Sequence, residues 1–197
     1  SITKYLNFVP HRHEGKVLGL AAYVDKPESF EVINSMIEFD KVKLQFVGLT
    51  EKGLYLPKYE NQNLNILNDK FSREDIASST QKVLEKNVCG LVTEIKNLKN
   101  VNKFNLCVAG GIFANVKLNQ KLSELSEVNS LYVFPNMGDG GLCIGAVWLS
   151  FVKQKNYRPT AIKDMRIGTN INNLEETFKK FKKYNLSYTK SLNINKQ

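Results

Sequence analysis

"NLCVAGGIFANVKLNQKL", residues 105–122, sets five mostly apolar residues directly before two glycines and an asparagine four positions after them. An apolar run that ends in Gly110-Gly111 and gives way to helical spacing reads as a buried strand turning into a helix. Phe104–Val108 is the expected strand and Ile112–Leu125 the expected helix. The same order repeats downstream, with a strand at Leu131–Phe134 and a helix at Leu142–Val152, joined through "PNMGDGGLCIGA" (135–146). Two β-then-α units with short connections predict an α/β fold of parallel or mixed strands covered by helices.

Upstream, Ser72 and Asp75 form a Ser-x-x-Asp pair of the capping-box kind, which marks a helix start. Ile76, Val83, Leu84, Val88, Leu91, Val92, Ile95 and Leu98 then follow at helical spacing, and "KNLKNVNK" closes the element. Residues 14–24 also read as a helix, with Val17, Leu18, Leu20 and Ala21 on one face. "KVKLQFVGLTEKGLYLP" supplies two short strand candidates around a turn at Thr50–Gly53, and the Asn-rich stretch 58–71 reads as a loop. Beyond Lys153 the pattern breaks at "NYRPTAIKDMRIGT", and a short amphipathic helix is expected at Asn173–Lys183. No internal repeat is visible.

At 197 residues, with 42% hydrophobic and 24% charged residues, the chain has the composition of a globular protein that buries a core. Its length fits one large domain or a domain with an appendage. The longest apolar stretch, Gly141 to Val152, is too short for a bilayer, which needs about 20 apolar residues. No basic-then-apolar leader opens the sequence, so no secretion signal is read. Cys89, Cys107 and Cys143 lie in apolar sequence without a CxxC pairing, which fits reduced core thiols in a cytoplasmic protein and argues against a cysteine zinc site. The net charge of +9 permits nucleic acid, ATP or phosphorylated substrates as partners. The lysines are scattered rather than striped, however, and charge alone does not establish a nucleic-acid partner.

The two glycine-rich turns are where chemistry is expected. A helix N-terminus offers unpaired N–H groups, and glycine lets a phosphate come close to the backbone. Two such turns at one end of a sheet would face one crevice, the usual ligand position in α/β proteins. Gly110 and Gly111 are therefore candidates for nucleotide contact. Asn115, expected one turn into the helix, carries an amide that can donate and accept; the alternative is a structural turn with Asn115 facing solvent. Asp139, between Gly138 and Gly140, is either a helix cap or a metal ligand. His11 and His13 lack the i, i+4 spacing of a helical metal pair and read as loop residues.

Four blocks together resemble the NodU/CmcH-type O-carbamoyltransferases. These are "YLNFVPHRHEGKVLGLAAYV", "REDIASSTQKVLEKNV", "NLCVAGGIFANVKLNQKL" and "VFPNMGDGGLCIGAVW", in the family's order over roughly residues 5–150. "MRIGTNINNLEETFKKF" resembles the weaker linker toward the family's second domain. The resemblance implies a lobe of the ASKHA fold (actin, sugar kinase, Hsp70; RNase H-like), related to the tRNA threonylcarbamoyl transferases. It divides the chain into a second lobe at residues 1–155 and a linker at 156–197 leading toward a YrdC-like domain.

By the same resemblance, Gly110, Gly111 and Asn115 contact the nucleotide, Glu14, Gly15 and Lys16 line the same site, and Asp139 is a metal ligand. The cofactors it implies are ATP, converted with carbamoyl phosphate to carbamoyladenylate, and a divalent metal, iron in the family, held by Asp139 with two histidines of an HxxxH motif. The implied reaction moves the carbamoyl group to a hydroxyl of a small acceptor, with the metal polarising the carbamoyl oxygen. This sequence has no HxxxH, and neither the family's first lobe nor its YrdC-like domain is matched. The expectation is therefore a piece of a longer enzyme, inactive by itself. A tRNA threonylcarbamoyladenosine-forming transferase and a non-catalytic remnant or interaction module stand as the alternatives.

Overall fold

In a computed structural model the residues described are 1–48, 64, 67, 70–155, 158, 160–162 and 179. The chain divides into two compact units, Ser1–Ile162 and Lys163–Gln197. Of the described residues only 179 falls in the second, so the account below is of the first. The helix expected at Asn173–Lys183 and the turn expected at Thr50–Gly53 lie outside the described residues.

The backbone of the fold is α4, Arg73–Lys99. Ser72 caps it as its sequence suggests: the Ser72 hydroxyl accepts from the Asp75 N–H at 3.1 Å. Asn100 ends it in the left-handed conformation, φ 49°, a conformation that asparagine tolerates better than most residues. Rising 1.5 Å per residue, a helix of this length spans about 40 Å, long enough to serve two separate cores. Its first half buries Ile76, Ala77 and Val83 with Leu6, Val17 and Ile33. Its second half buries Val88 and Val92 with Leu118, Leu122 and Val128.

The first core is closed by three short helices, α1 (Ile2–Tyr5), α2 (Glu14–Ala21) and α3 (Phe30–Asn34). A buried polar seam runs beside it. Asp75 accepts from the N–H groups of Glu28 and Ser29 at 2.6 and 3.0 Å, Ser29 and Ser79 share a hydroxyl hydrogen bond of 2.7 Å, and Ser78 donates to the Val24 carbonyl. Buried polar groups are tolerated when paired in this way.

A hairpin follows α3, ahead of the turn expected at Thr50–Gly53, which lies outside the described residues. β1 (Ile37–Asp40) pairs antiparallel with β2 (Gln45–Gly48). The Asp40 carboxylate accepts from the N–H groups of Val42 and Lys43, and this side-chain turn folds the chain back at 41–44. The expected first strand is therefore the second strand of the pair.

The second core carries β3 (Phe104–Val108) and β4 (Val128–Val133), a parallel pair. α5 (Val116–Ser123) connects them and α6 (Leu142–Lys155) follows β4. The predicted α/β alternation is present. Among the described residues it is expressed as two small two-stranded sheets, one antiparallel and one parallel. On β3 the residues alternate, Phe104, Leu106 and Val108 being half-buried while Asn105 and Cys107 are exposed. Two further expectations are corrected. The helix expected at Ile112–Leu125 is a 3-10 turn, Gly111–Ala114, and then α5, with Asn115 breaking the two apart in an extended conformation. The cysteines are unpaired, but Cys107 and Cys143 are exposed rather than core residues. Only Cys89 is partly covered, and there burial, followed by the nearby Glu85 charge, raises the thiol pKa and keeps it protonated.

Candidate nucleotide site at the glycine turns

Because β3 and β4 run parallel, the turns that leave them sit at the same end of the pair. A hydrogen bond ties the two turns together: the Gly110 N–H donates to the Met137 carbonyl at 2.6 Å. Gly110 itself has φ +115°, a backbone conformation that side chains rarely adopt, so glycine is required there by the turn. At Gly141 the requirement is steric, since an added Cβ would collide with the Asn136 carbonyl oxygen and the Phe134 ring. Gly111 is different. A Cβ at Gly111 would meet nothing within 4 Å, and its N–H has no acceptor among the described residues.

Asn115 is the N-cap of α5 rather than a residue inside it. Its Oδ1 accepts from the Leu118 N–H at 2.9 Å, and its Nδ2 donates to Gln81 Oε1 at 2.7 Å. The amide therefore joins the start of α5 to the middle of α4. Asn115 also lines a cavity of about 160 Å³ with Glu14, Thr80 and Gln81 among its polar groups and Val17 and Leu84 among its apolar ones. Asn115 and Glu14, far apart in sequence, thus border one space.

Glu14 opens α2, and its Oε1 accepts from the His11 N–H at 2.7 Å. Gly15 and Lys16 are exposed on the first turn of the same helix and do not line the cavity. Lys16 Nζ approaches His13 Nε2 at 3.2 Å, while His13 Nδ1 accepts from the Val9 N–H. With Nδ1 accepting, Nε2 carries the ring proton, so the ammonium and that nitrogen are two donors and form no hydrogen bond. Asp139 starts the 3-10 turn Asp139–Gly141, is exposed, and makes no capping hydrogen bond. Among the described residues no three His, Cys, Asp or Glu side chains come together as a metal site. Asp139 does not complete one with them.

Thr80 and Gln81 are additions that the sequence pattern did not single out as site residues. Helical spacing placed Ile76, Val83 and Leu84 toward a core, but it carried no signal that Gln81 would face the cap of another helix.

Residues 1–148 match the family model described as the carbamoyltransferase N-terminus. The chain belongs to this family. Among its curated relatives, nodulation protein U of Sinorhizobium fredii is 34% identical over 90 residues, 44% of this chain and 16% of that protein. The uncharacterized protein MJ1058 of Methanocaldococcus jannaschii is 32% identical over 155 residues, 77% of this chain and 24% of that protein. MJ1051 of the same organism is 33% identical over 150 residues, 74% of this chain and 28% of that protein. The chain thus spans 28% or less of the length of these three relatives. The carbamoyltransferase match covers both glycine turns up to the middle of α6, so the family assignment and the site geometry concern the same residues.

Proposed function

We propose that this chain contributes a nucleotide-contacting lobe, of the ASKHA type, to an O-carbamoyltransferase. The enzyme takes the carbamoyl group of carbamoyladenylate, formed from ATP and carbamoyl phosphate, and passes it to a hydroxyl of a small acceptor. Family membership over residues 1–148 is the observation that carries the reading. The unpartnered Gly111 N–H and the open space over that residue support a phosphate or adenylate contact at the first turn. Asn115, which ends the same turn, supplies a side-chain donor, and Glu14 an acceptor, to the cavity that both line.

In this reading the chain's own residues bind and orient: the tied turns hold the adenylate so that the acceptor hydroxyl attacks the carbamoyl carbon from above the carbonyl plane, losing its proton, while AMP leaves. Gly15 and Lys16 extend the surface along the first turn of α2. Asp139 offers a single carboxylate to a divalent metal, iron by resemblance, whose other ligands lie outside the described residues. Such an ion supplies charge for the developing oxyanion when bound. The remaining groups come from a first lobe and a YrdC-like domain. The three cysteines without disulfide partners fit a cytoplasmic setting.

The test uses ATP titrated into the isotopically labelled 197-residue chain and followed by NMR, which reads weak binding. ATP is expected to shift the signals of Gly111 and Asn115. Gly111→Ala should weaken that response while leaving the melting temperature unchanged or slightly higher, since the site has room and no positive φ. An ATP response that leaves both turns untouched would overturn the assignment. Turnover with ATP, carbamoyl phosphate and a hydroxyl acceptor is not expected from this chain alone. The net charge of +9 is the one observation favouring a tRNA substrate, and tRNA retention on filters with a steep salt dependence would give that reading the lead.

A further inference from the structure

Three side chains in a row set the direction in which Asn115 points. Gln81 Nε2 donates to Glu85 Oε1 at 2.8 Å, and Asn115 Nδ2 donates to Gln81 Oε1 at 2.7 Å. A second, longer contact of 3.3 Å runs from Gln81 Nε2 to Asn115 Oδ1. At the other end, the backbone N–H of Leu118 donates to Asn115 Oδ1.

The two ends of this row admit only one arrangement. An ionised carboxylate accepts and cannot donate, whereas a backbone N–H donates and cannot accept. Glu85 therefore obliges Gln81 to turn its NH2 group away from Asn115 Nδ2 and its carbonyl oxygen toward it. The Leu118 N–H obliges Asn115 to present Oδ1 to the helix. Each constraint agrees with the other, so the side-chain amide of Asn115 has a single orientation. In that orientation one Nδ2 hydrogen is taken by Gln81, and the other has no acceptor among the described residues. Asn115 borders the cavity that Gln81 and Glu14 also line.

We infer that Glu85 and Gln81 are positioning residues that fix the Asn115 amide so that its remaining N–H is presented to the nucleotide. The inference rests on the nucleotide reading above and adds to it two α4 residues that act through Asn115. Neither needs to touch the ligand. An asparagine free to flip would present an oxygen to the same ligand atom half of the time. Locking it removes that loss before binding.

The test is again NMR on the labelled 197-residue chain with ATP as the probe, read at the two Asn115 Nδ2 protons. In the unaltered chain one proton should exchange slowly with water and the other rapidly, and ATP should shift the rapid one. Glu85→Gln keeps size and shape but removes the obligatory acceptor. With the Leu118 N–H still holding Asn115 Oδ1, it should narrow the difference between the two protons and lower ATP affinity by up to about twofold, the loss expected when half the population is competent. Gln81→Leu should do the same more strongly. Combined with Asn115→Ala, neither change should lower affinity further, because residues acting through one group are not additive. An ATP response and an exchange difference that both survive Glu85→Gln unchanged would overturn the inference and leave the nucleotide reading intact. Absence of any ATP response at Asn115 in the unaltered chain would overturn the nucleotide reading and the inference with it.

Discussion

Glu127 is buried, 6% exposed, yet its carboxylate is well provided for. Thr93 donates to Oε1 at 2.7 Å and Ser126 to Oε2 at 3.0 Å. The Thr93 hydrogen bond is the main reason its pKa lies below the ordinary carboxylate value, helped by its own backbone N–H. A carboxylate with a depressed folded pKa stabilises the fold above its unfolded pKa, and that stability is lost as pH falls through the folded value. Thr93→Val should therefore destabilise the chain by about 1–2 kcal/mol near neutral pH. The gap between the two proteins in urea melts should close only as pH falls through the depressed folded value, below the ordinary glutamate range, where the carboxylate becomes protonated in both. A gap independent of pH would point to lost packing instead. None of this was legible in "SEVNS", because a glutamate in a polar stretch reads as solvated until a partner from another element reaches it. Asn115 was legible as a residue of interest from its distance to the double glycine, though not as a cap: the break before α5 depends on its extended backbone, which helical spacing does not reveal.

At the scale of elements, α4 and both glycine turns could be read directly, for a physical reason. Ser72 caps through a contact three residues away, and the turns follow from strand and helix periods that are local in sequence. The seam formed by Asp75, Ser78 and Ser79 is the opposite case. Its partners, Glu28, Ser29 and Val24, lie at least 46 residues away along the chain. Asp75 looked like the second half of a capping box, but its carboxylate is spent on the two N–H groups leading into α3. Asp75→Asn should keep one of these bonds and set an NH2 group against the other, costing about 1–3 kcal/mol. Asp75→Ala should cost more, since both N–H groups lose their acceptor. Denaturant midpoints of the two variants check the order; equal midpoints would mean that water replaces the carboxylate without loss.

For the whole molecule, the apolar character of α6 is the feature with the largest expected consequence in solution. Leu142, Val147 and Leu149 are 71%, 54% and 56% exposed, although their segment is the most apolar in the sequence. The helix was legible from that pattern; its exposure was not, because an apolar run signals that a surface is to be covered without saying by what. Exposed apolar side chains gathered on one helix favour association. The 197-residue chain by itself should show concentration-dependent self-association in sedimentation measurements. Val147→Lys with Leu149→Glu should reduce it, and a monodisperse unaltered chain with a sharp melt would contradict the expectation. The family and the α/β alternation were readable from the motif order alone, whereas the division into two small sheets depended on pairings that no local pattern encodes.

The position of α4 between the two cores also has a consequence in time. Leu6, Val17 and Ile33 share their core with Leu64, Leu67, Ile76, Ala77 and Val83, so during synthesis that core is incomplete until the first half of α4 has been made. At about 5–20 residues per second, the interval from Ile33 to Val83 lasts on the order of several seconds. During it the early helices remain exposed to chaperones and proteases. The second core, which joins Val88 and Val92 to Leu118, Leu122 and Val128, is completed later still. The arrival of the first half of α4 therefore ends the exposure of the apolar residues from Leu6 to Ile33.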